Sequence, residues 1–254
     1  MALFPLRVSV VRWLLISIFC WGLTESYSYG FDWSQFRGPA GNGVIQGYQL
    51  PTEWDATRNL AWSVEIQGAG WSSPLVIGDH IFLTTSVSTN IGSPKGFGGG
   101  VAAMREFSKA TAPEVPVSFQ IKCLRLSDGR ELWSQVVDER KPDYPIHPSN
   151  TYATESPTSD GKSVFVYFGS TGVVACFNLS GKEIWKRDLG AFPTGNNFGS
   201  GSSLVLHNSR LFVQCDNDEQ SFVMALNAEN GETVWEAKRS GRTSGSSPDI
   251  WKNK

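Results

Sequence analysis

From residue 60 onward, apolar and polar positions alternate in short runs, and each run stops at a Gly, Asp or Asn. SSPLVIGDHIFLTTS (72–86), SPTSDGKSVFVYFGS (156–170) and SSLVLHNSRLFVQCD (202–216) each read as two strands hinged on such a turn. IKCLRL (121–126), VVACFNL (173–179) and FVMALNA (222–228) each read as a third strand leading into a Gly turn and a fourth. These stretches are dense in β-branched and aromatic residues and turn too often for helices. The pattern predicts an all-β protein.

The fourth strands carry the clearest repeat. SDGRELW (127–133), LSGKEIW (179–185) and ENGETVW (229–235) each place a Gly four residues before a Trp, and the Trp residues lie 52 (133 to 185) and 50 (185 to 235) positions apart. Four-stranded antiparallel units at a period near 50 are the pattern of a β-propeller blade. An immunoglobulin-like sandwich does not explain a threefold echo. A blade cannot bury both faces of its sheet alone, so Trp133, Trp185 and Trp235 are expected to dock on the next blade. LAWSVEI (60–66) resembles an isolated fourth strand with Trp62 in the docking position, and SSPDIW (246–251) the first strand of another blade. Three full blades and strands of two others do not close a ring of about six to eight, so the propeller is expected to be incomplete and the chain a fragment. The expected organisation is a secretory signal over 1–30, a lead segment over 31–58 and a partial propeller over 59–254.

Composition refines this picture. Only 18% of the 254 residues are charged, with 26 Gly, 10 Trp and a formal net charge of −2. There is no basic footprint, so nucleic acid is not an expected partner. Arg7 and Arg12 precede the apolar run WLLISIFCWGL (13–23), which is too short to span a bilayer and fits an export signal, with small residues at Ser28 and Gly30 for cleavage. Export predicts a periplasmic or secreted protein with no membrane span once the signal is removed. Phe19 is too bulky for a lipid-attachment box around Cys20. Cys123, Cys176 and Cys215 are isolated, and an odd count gives no disulfide framework. Cys123 and Cys176 align with Ala225, which suits small fillers of a core.

The repeat of small residue, Leu, turn and Gly-Lys/Glu-x-x-Trp resembles the PQQ-like repeat of quinoprotein dehydrogenases and of the propeller lipoprotein that assists outer-membrane barrel assembly. WSQFRGPAGNGV (33–44), HPSNTYATESPTSDG (147–161), VYFGSTGVVACFNLSG (166–181) and NDEQSFVMALNAENGETVW (217–235) look like a group of exported bacterial PQQ-like propeller proteins. The resemblance implies, for a quinoprotein enzyme, PQQ held by vicinal cysteines over a Trp floor and calcium held by Glu, Asn and Asp. No residue of this chain carries over as a PQQ or calcium ligand, and no haem motif is present. No cofactor is therefore expected.

Strand order places the A–B and C–D turns on one face of a propeller and the B–C and D–A connections on the other. The turns are short, whereas 87–118, 138–155, 189–200, 216–220 and 239–245 all fall in the second set. Irregular connections gathered on one face of a rigid scaffold suggest a binding surface. Its candidate residues are His147, Asn150, Tyr152, Glu155, Asp216, Asp218, Glu219 and Arg239. They either form a polar pocket or brace their own loops. DNDEQ (216–220) lacks the Gly that a calcium loop requires, so no metal site is expected. GFGGG (96–100) is read as a flexible loop, VAAMREFSKA (101–110) as a short helix, and His80 and His207 as turn residues of the opposite face. No catalytic residue is proposed from spacing. The expected function is an exported, non-catalytic propeller module that binds a protein partner or a polar or polymeric ligand. The alternatives are a quinone-dependent dehydrogenase-like enzyme and an envelope-assembly scaffold.

Overall fold

A computed structural model describes residues 32–89 and 111–251. The signal over 1–30, Cys20, GFGGG and VAAMREFSKA lie outside the described residues. Twelve strands form three four-stranded antiparallel sheets, each in chain order. The first holds β1 (Leu75–Ile77), β2 (His80–Val87), β3 (Val117–Arg125) and β4 (Glu131–Arg140). The second holds β5 (Thr158–Ser159), β6 (Ser163–Phe168), β7 (Val173–Asn178) and β8 (Glu183–Asp188). The third holds β9 (Val205–His207), β10 (Arg210–Cys215), β11 (Phe222–Asn227) and β12 (Thr233–Lys238). These are three blades of an incomplete propeller.

Strand pairing repeats from blade to blade. Cys123 pairs with Trp133, Cys176 with Trp185 and Ala225 with Trp235, and the register shifts immediately after each of Cys123, Cys176 and Ala225. All three small residues are buried, and burial pushes the Cys123 and Cys176 thiols up to about 12. They fill core space opposite a Trp. Two apolar cores result, one between the first and second blades and one between the second and third. Phe82, Phe165 and Phe212 occupy one equivalent position, and each lies about 6 Å from the Trp of its own blade.

Two expected strands are not formed. LAWSVEI and SSPDIW belong to no strand, because neither has a neighbouring strand to complete a ladder among the described residues. LAWSVEI is held by docking instead, with the Trp62 indole N–H donating to the Leu126 carbonyl at 2.9 Å. The lead segment is also built in. Trp33 exchanges backbone hydrogen bonds with Val76 of β1 at 2.8 and 3.1 Å, and the Ser34 carbonyl accepts from Ser159 N–H and Thr158 Oγ1 of β5. Residues 33 and 34 thus staple the innermost strands of two blades.

Candidate functional site

The blade joints fix the geometry of the loop face. Trp62 donates to Leu126, Trp133 to Leu179 and Trp185 to Ala228, in each case from the indole N–H to a carbonyl of the following blade, at 2.9 to 3.0 Å. Each ring lies against the next turn's Gly: a Cβ at Gly129, Gly181 or Gly231 would fall within 2.7 Å of the ring. The same glycines have φ of 73°, 87° and 73°, a left-handed conformation that Gly adopts without strain. Trp235 packs against Phe212 of its own blade and is 37% exposed.

A second joint runs along the inner strands. Ser73 N–H donates to Ser156 Oγ, Ser156 N–H to Ser203 Oγ, and Ser203 N–H to Ser247 Oγ, at 2.8, 3.0 and 2.9 Å. Equivalent serines in four successive repeats therefore form one ladder around the inner edge. The sequence signal was the Ser that recurs before each first strand, in SSP, ESP, SSL and SSP, and it was not among the candidate residues.

Each candidate of the loop face has a definite place. The His147 ring is buried against Phe198, with its Nδ1 accepting from Ser149 N–H at 3.1 Å and 2.6 Å from Ser149 Oγ. Burial holds this imidazole below its ordinary pKa. Asn150 Nδ2 donates to the Phe198 carbonyl at 2.6 Å, while its Oδ1 accepts from Thr151 N–H and Thr154 Oγ1. Tyr152 is buried edge-on to Phe119 and donates to the Tyr144 carbonyl at 3.1 Å. Glu155 is fully buried; its Oε1 accepts from Gly169 N–H at 3.3 Å and its side chain bonds Ser200, yet desolvation still raises its pKa.

The remaining four lie around the third blade. Asp216 Oδ2 accepts from Gln214 Nε2 at 2.9 Å, and Arg239 Nε stands 3.4 Å from its Oδ1. Asp218 Oδ1 accepts from Thr243 N–H at 3.1 Å and Oγ1 at 2.8 Å, which lowers its pKa. Glu219 is exposed, and its N–H donates to Asn217 Oδ1 at 2.8 Å. The structure thus brings Asp216 and Arg239 together. It connects the His147–Asn150 set to the Asp218–Thr243 set through residues 189–200, with Phe198 at one end and Gly195 N–H donating to Thr243 Oγ1 at the other.

Sequence spacing did not single out Trp71, which lies on the same face. Its ring is 58% exposed, although its indole N–H donates to the Ser149 carbonyl at 3.0 Å and its backbone N–H to the Ala153 carbonyl at 2.9 Å. A groove of about 400 Å³ beside it is lined by Ile66, Pro74 and Leu83 among others. Cys123 and Cys176 sit inside separate blades, and Glu155 and Asp216 are committed to Ser200, Gly169, Gln214 and Arg239.

Short turns on one face, irregular connections on the other and tryptophan-docked four-stranded blades define a PQQ-like β-propeller. The chain belongs to the PQQ-like repeat family whose model, described as outer membrane protein assembly factor BamB, matches residues 118–251. Among solved structures, a quinohemoprotein alcohol dehydrogenase from Comamonas testosteroni is similar at 12% identity and a TM-score of 0.50, over 82% of this chain and 27% of that one. BamB from Moraxella catarrhalis is similar at 17% identity and a TM-score of 0.36, over 72% of this chain and 55% of that one. The chain thus spans between about a quarter and just over half the length of these two proteins. At these identities the likeness concerns the fold alone. No curated protein matches the chain.

Proposed function

We propose that this protein is an exported propeller module that binds a protein partner through its loop face, acting as a scaffold rather than as an enzyme. The observation that carries this reading is Trp71, an exposed aromatic ring whose indole N–H and backbone N–H are both tied down. Aromatic rings are the side chains that protein interfaces bury at their centres. A ring ordered before the partner arrives avoids the entropy cost of ordering on binding. Phe198, exposed on the same face and tilted against the His147 ring, extends the surface. The bonds of His147, Asn150, Asp218 and Thr243 brace successive connections into one rigid platform. The charged and apolar N-terminus supports export, and the family's description as an outer-membrane assembly factor supports a role in the cell envelope.

The test is in-cell cross-linking from the loop face, comparing the wild type with a Trp71→Ser, Phe198→Ser double variant. The wild type is expected to give a discrete adduct that the double variant loses while still folding, as checked by its circular dichroism spectrum. Equal adduct formation by both proteins rules out this surface.

A further inference from the structure

The segment 60–66 can be compared with the fourth strands position by position. Trp62 matches Trp133 and Trp185, because each indole N–H donates to a carbonyl of the next blade and each ring covers that blade's turn Gly. The match continues two residues on. A Cβ at Gly129 would lie 2.9 Å from Val64 Cγ1, and at the equivalent place Arg187 Nη1 donates to the Gly231 carbonyl at 2.6 Å. Ile66, four residues past its Trp, matches Val137 and Leu189, which pack into the two cores. Trp62 and Val64 thus face the first blade while Ser63 and Glu65 are exposed, the alternation of an extended chain. Residues 60–66 follow the course of a fourth strand.

The other edge of the segment is where it differs. The fourth strand of each blade pairs with a third strand, whereas no backbone N–H or carbonyl of 60–66 makes a hydrogen bond among the described residues. Water satisfies exposed groups of this kind, so it is the docked course of the chain that matters: Trp62 and Val64 hold a whole ladder edge in place. The third strands show what fits such an edge. Opposite Trp133, Trp185 and Trp235 stand Cys123, Cys176 and Ala225. Opposite Gln135, Arg187 and Ala237, two residues on, stand Ile121, Val174 and Val223. Leu124, Phe177 and Leu226 follow the small residue. Each third strand therefore reads β-branched, any residue, small, large apolar.

We propose that residues 60–66 are a docking edge for a β-strand of a partner protein, which adds antiparallel with a small side chain opposite Trp62 and a β-branched one opposite Val64. Ladder hydrogen bonds along the edge supply the attachment, and the alternate side chains supply the choice of strand. The small residue is specified because the position opposite each Trp is fully buried and holds only Cys or Ala. A second copy of this chain offers no such strand among the described residues, since β3, β7 and β11 are each paired on both sides. Neither Trp71 nor Phe198 takes part, so this edge stands or falls separately from the loop face.

The probe is a synthetic peptide of residues 220–228, QSFVMALNA, added to the full chain, with amide hydrogen exchange as the readout. In the free protein the amides of 60–66 are expected to exchange rapidly, and saturating peptide to slow them about tenfold or more. The same peptide with Ala225→Phe is expected to bind about tenfold more weakly, because the larger side chain overpacks against Trp62. Trp62→Ala in the full chain undocks the edge and should abolish the protection, while slow exchange within β1 to β12 shows that the blades persist. Amides of 60–66 that are already slow without peptide overturn the proposal, since the edge is then paired within the chain. So do failure of the peptide to slow them, protection confined to the third blade, and equal binding by the Ala225→Phe peptide.

Discussion

The indole N–H of Trp185 donates to the carbonyl of Ala228 at 2.9 Å, which ties the outermost strand of the second blade to the turn of the third. The ring rests on Gly231, in the same relation that Trp133 bears to Gly181 and Trp62 to Gly129. Trp235 makes the same contact with the Phe of its own blade as Trp133 and Trp185 do, and among the described residues its ring is 37% exposed.

That contrast sets the first prediction. Trp185 is 8% exposed, and Trp185→Ala removes both its packing and its hydrogen bond, at a cost of about 3–5 kcal/mol. Trp235→Ala should cost about half as much or less, since much of that ring already faces solvent. Trp33→Ala should also cost less, because its two bonds to Val76 come from the backbone and survive the substitution. Urea denaturation of the three variants gives the ranking, and equal losses would remove Trp185 from the docking role.

The serine ladder gives the second. Ser156→Ala leaves the Ser73 N–H without its acceptor, and Ser203→Ala does the same to Ser156, each at about 1–3 kcal/mol. Ser156→Thr retains the hydroxyl and should recover part of the loss. Denaturation midpoints check this, and an Ala variant as stable as the wild type would show that the ladder contributes little.

Glu155 gives a dependence on pH. Burial raises its folded-state pKa above the ordinary value near 4.5, so the folded protein binds more protons than the unfolded chain between the two values. The contribution of Glu155 to stability is therefore present in full below the unfolded value, and it is lost as pH rises through the folded one. Glu155→Gln, which stays neutral, should show a flatter stability profile above about pH 4.5 and gain on the wild type toward neutrality. Parallel profiles from pH 4 to 8 would mean that Glu155 is not desolvated in solution.

Asn150 gives a local prediction. Its side chain reaches the Phe198 carbonyl, and Gly199 leaves the space: a Cβ there would lie 2.7 Å from Asn150 Nδ2. Asn150→Ala should loosen residues 189–200 and raise their rate of limited proteolysis several-fold, at a global cost of about 1–2 kcal/mol. An unchanged cleavage pattern would place the brace elsewhere.

The blades were legible in the sequence because their causes are local. Alternation, turn residues and the Gly-to-Trp spacing depend on neighbours a few positions away, and the repeat states them three times. The equivalence of Cys123, Cys176 and Ala225 was legible for the same reason, since one core position admits only a small side chain opposite each Trp. LAWSVEI shows the limit of that reasoning. Its alternation is that of a strand, but a strand forms only where a neighbour supplies the other half of each hydrogen bond, and pattern alone does not supply one.

The loop face was legible as a set of connections and not as a site. Sequence order assigned His147, Asn150, Asp216 and Arg239 to one face because the direction of each strand determines on which side its connection opens. Which atoms meet there depends on pairs such as Asn150 and Phe198, 48 positions apart, or Trp71 and Ser149, 78 apart. The sequence by itself determined the unit, its period and the residues that dock one unit on the next, because each blade is built from contacts close along the chain. Only the tertiary structure decided which polar groups are consumed by bracing and which ring is left exposed. Those outcomes arise where separate blades and their connections come together.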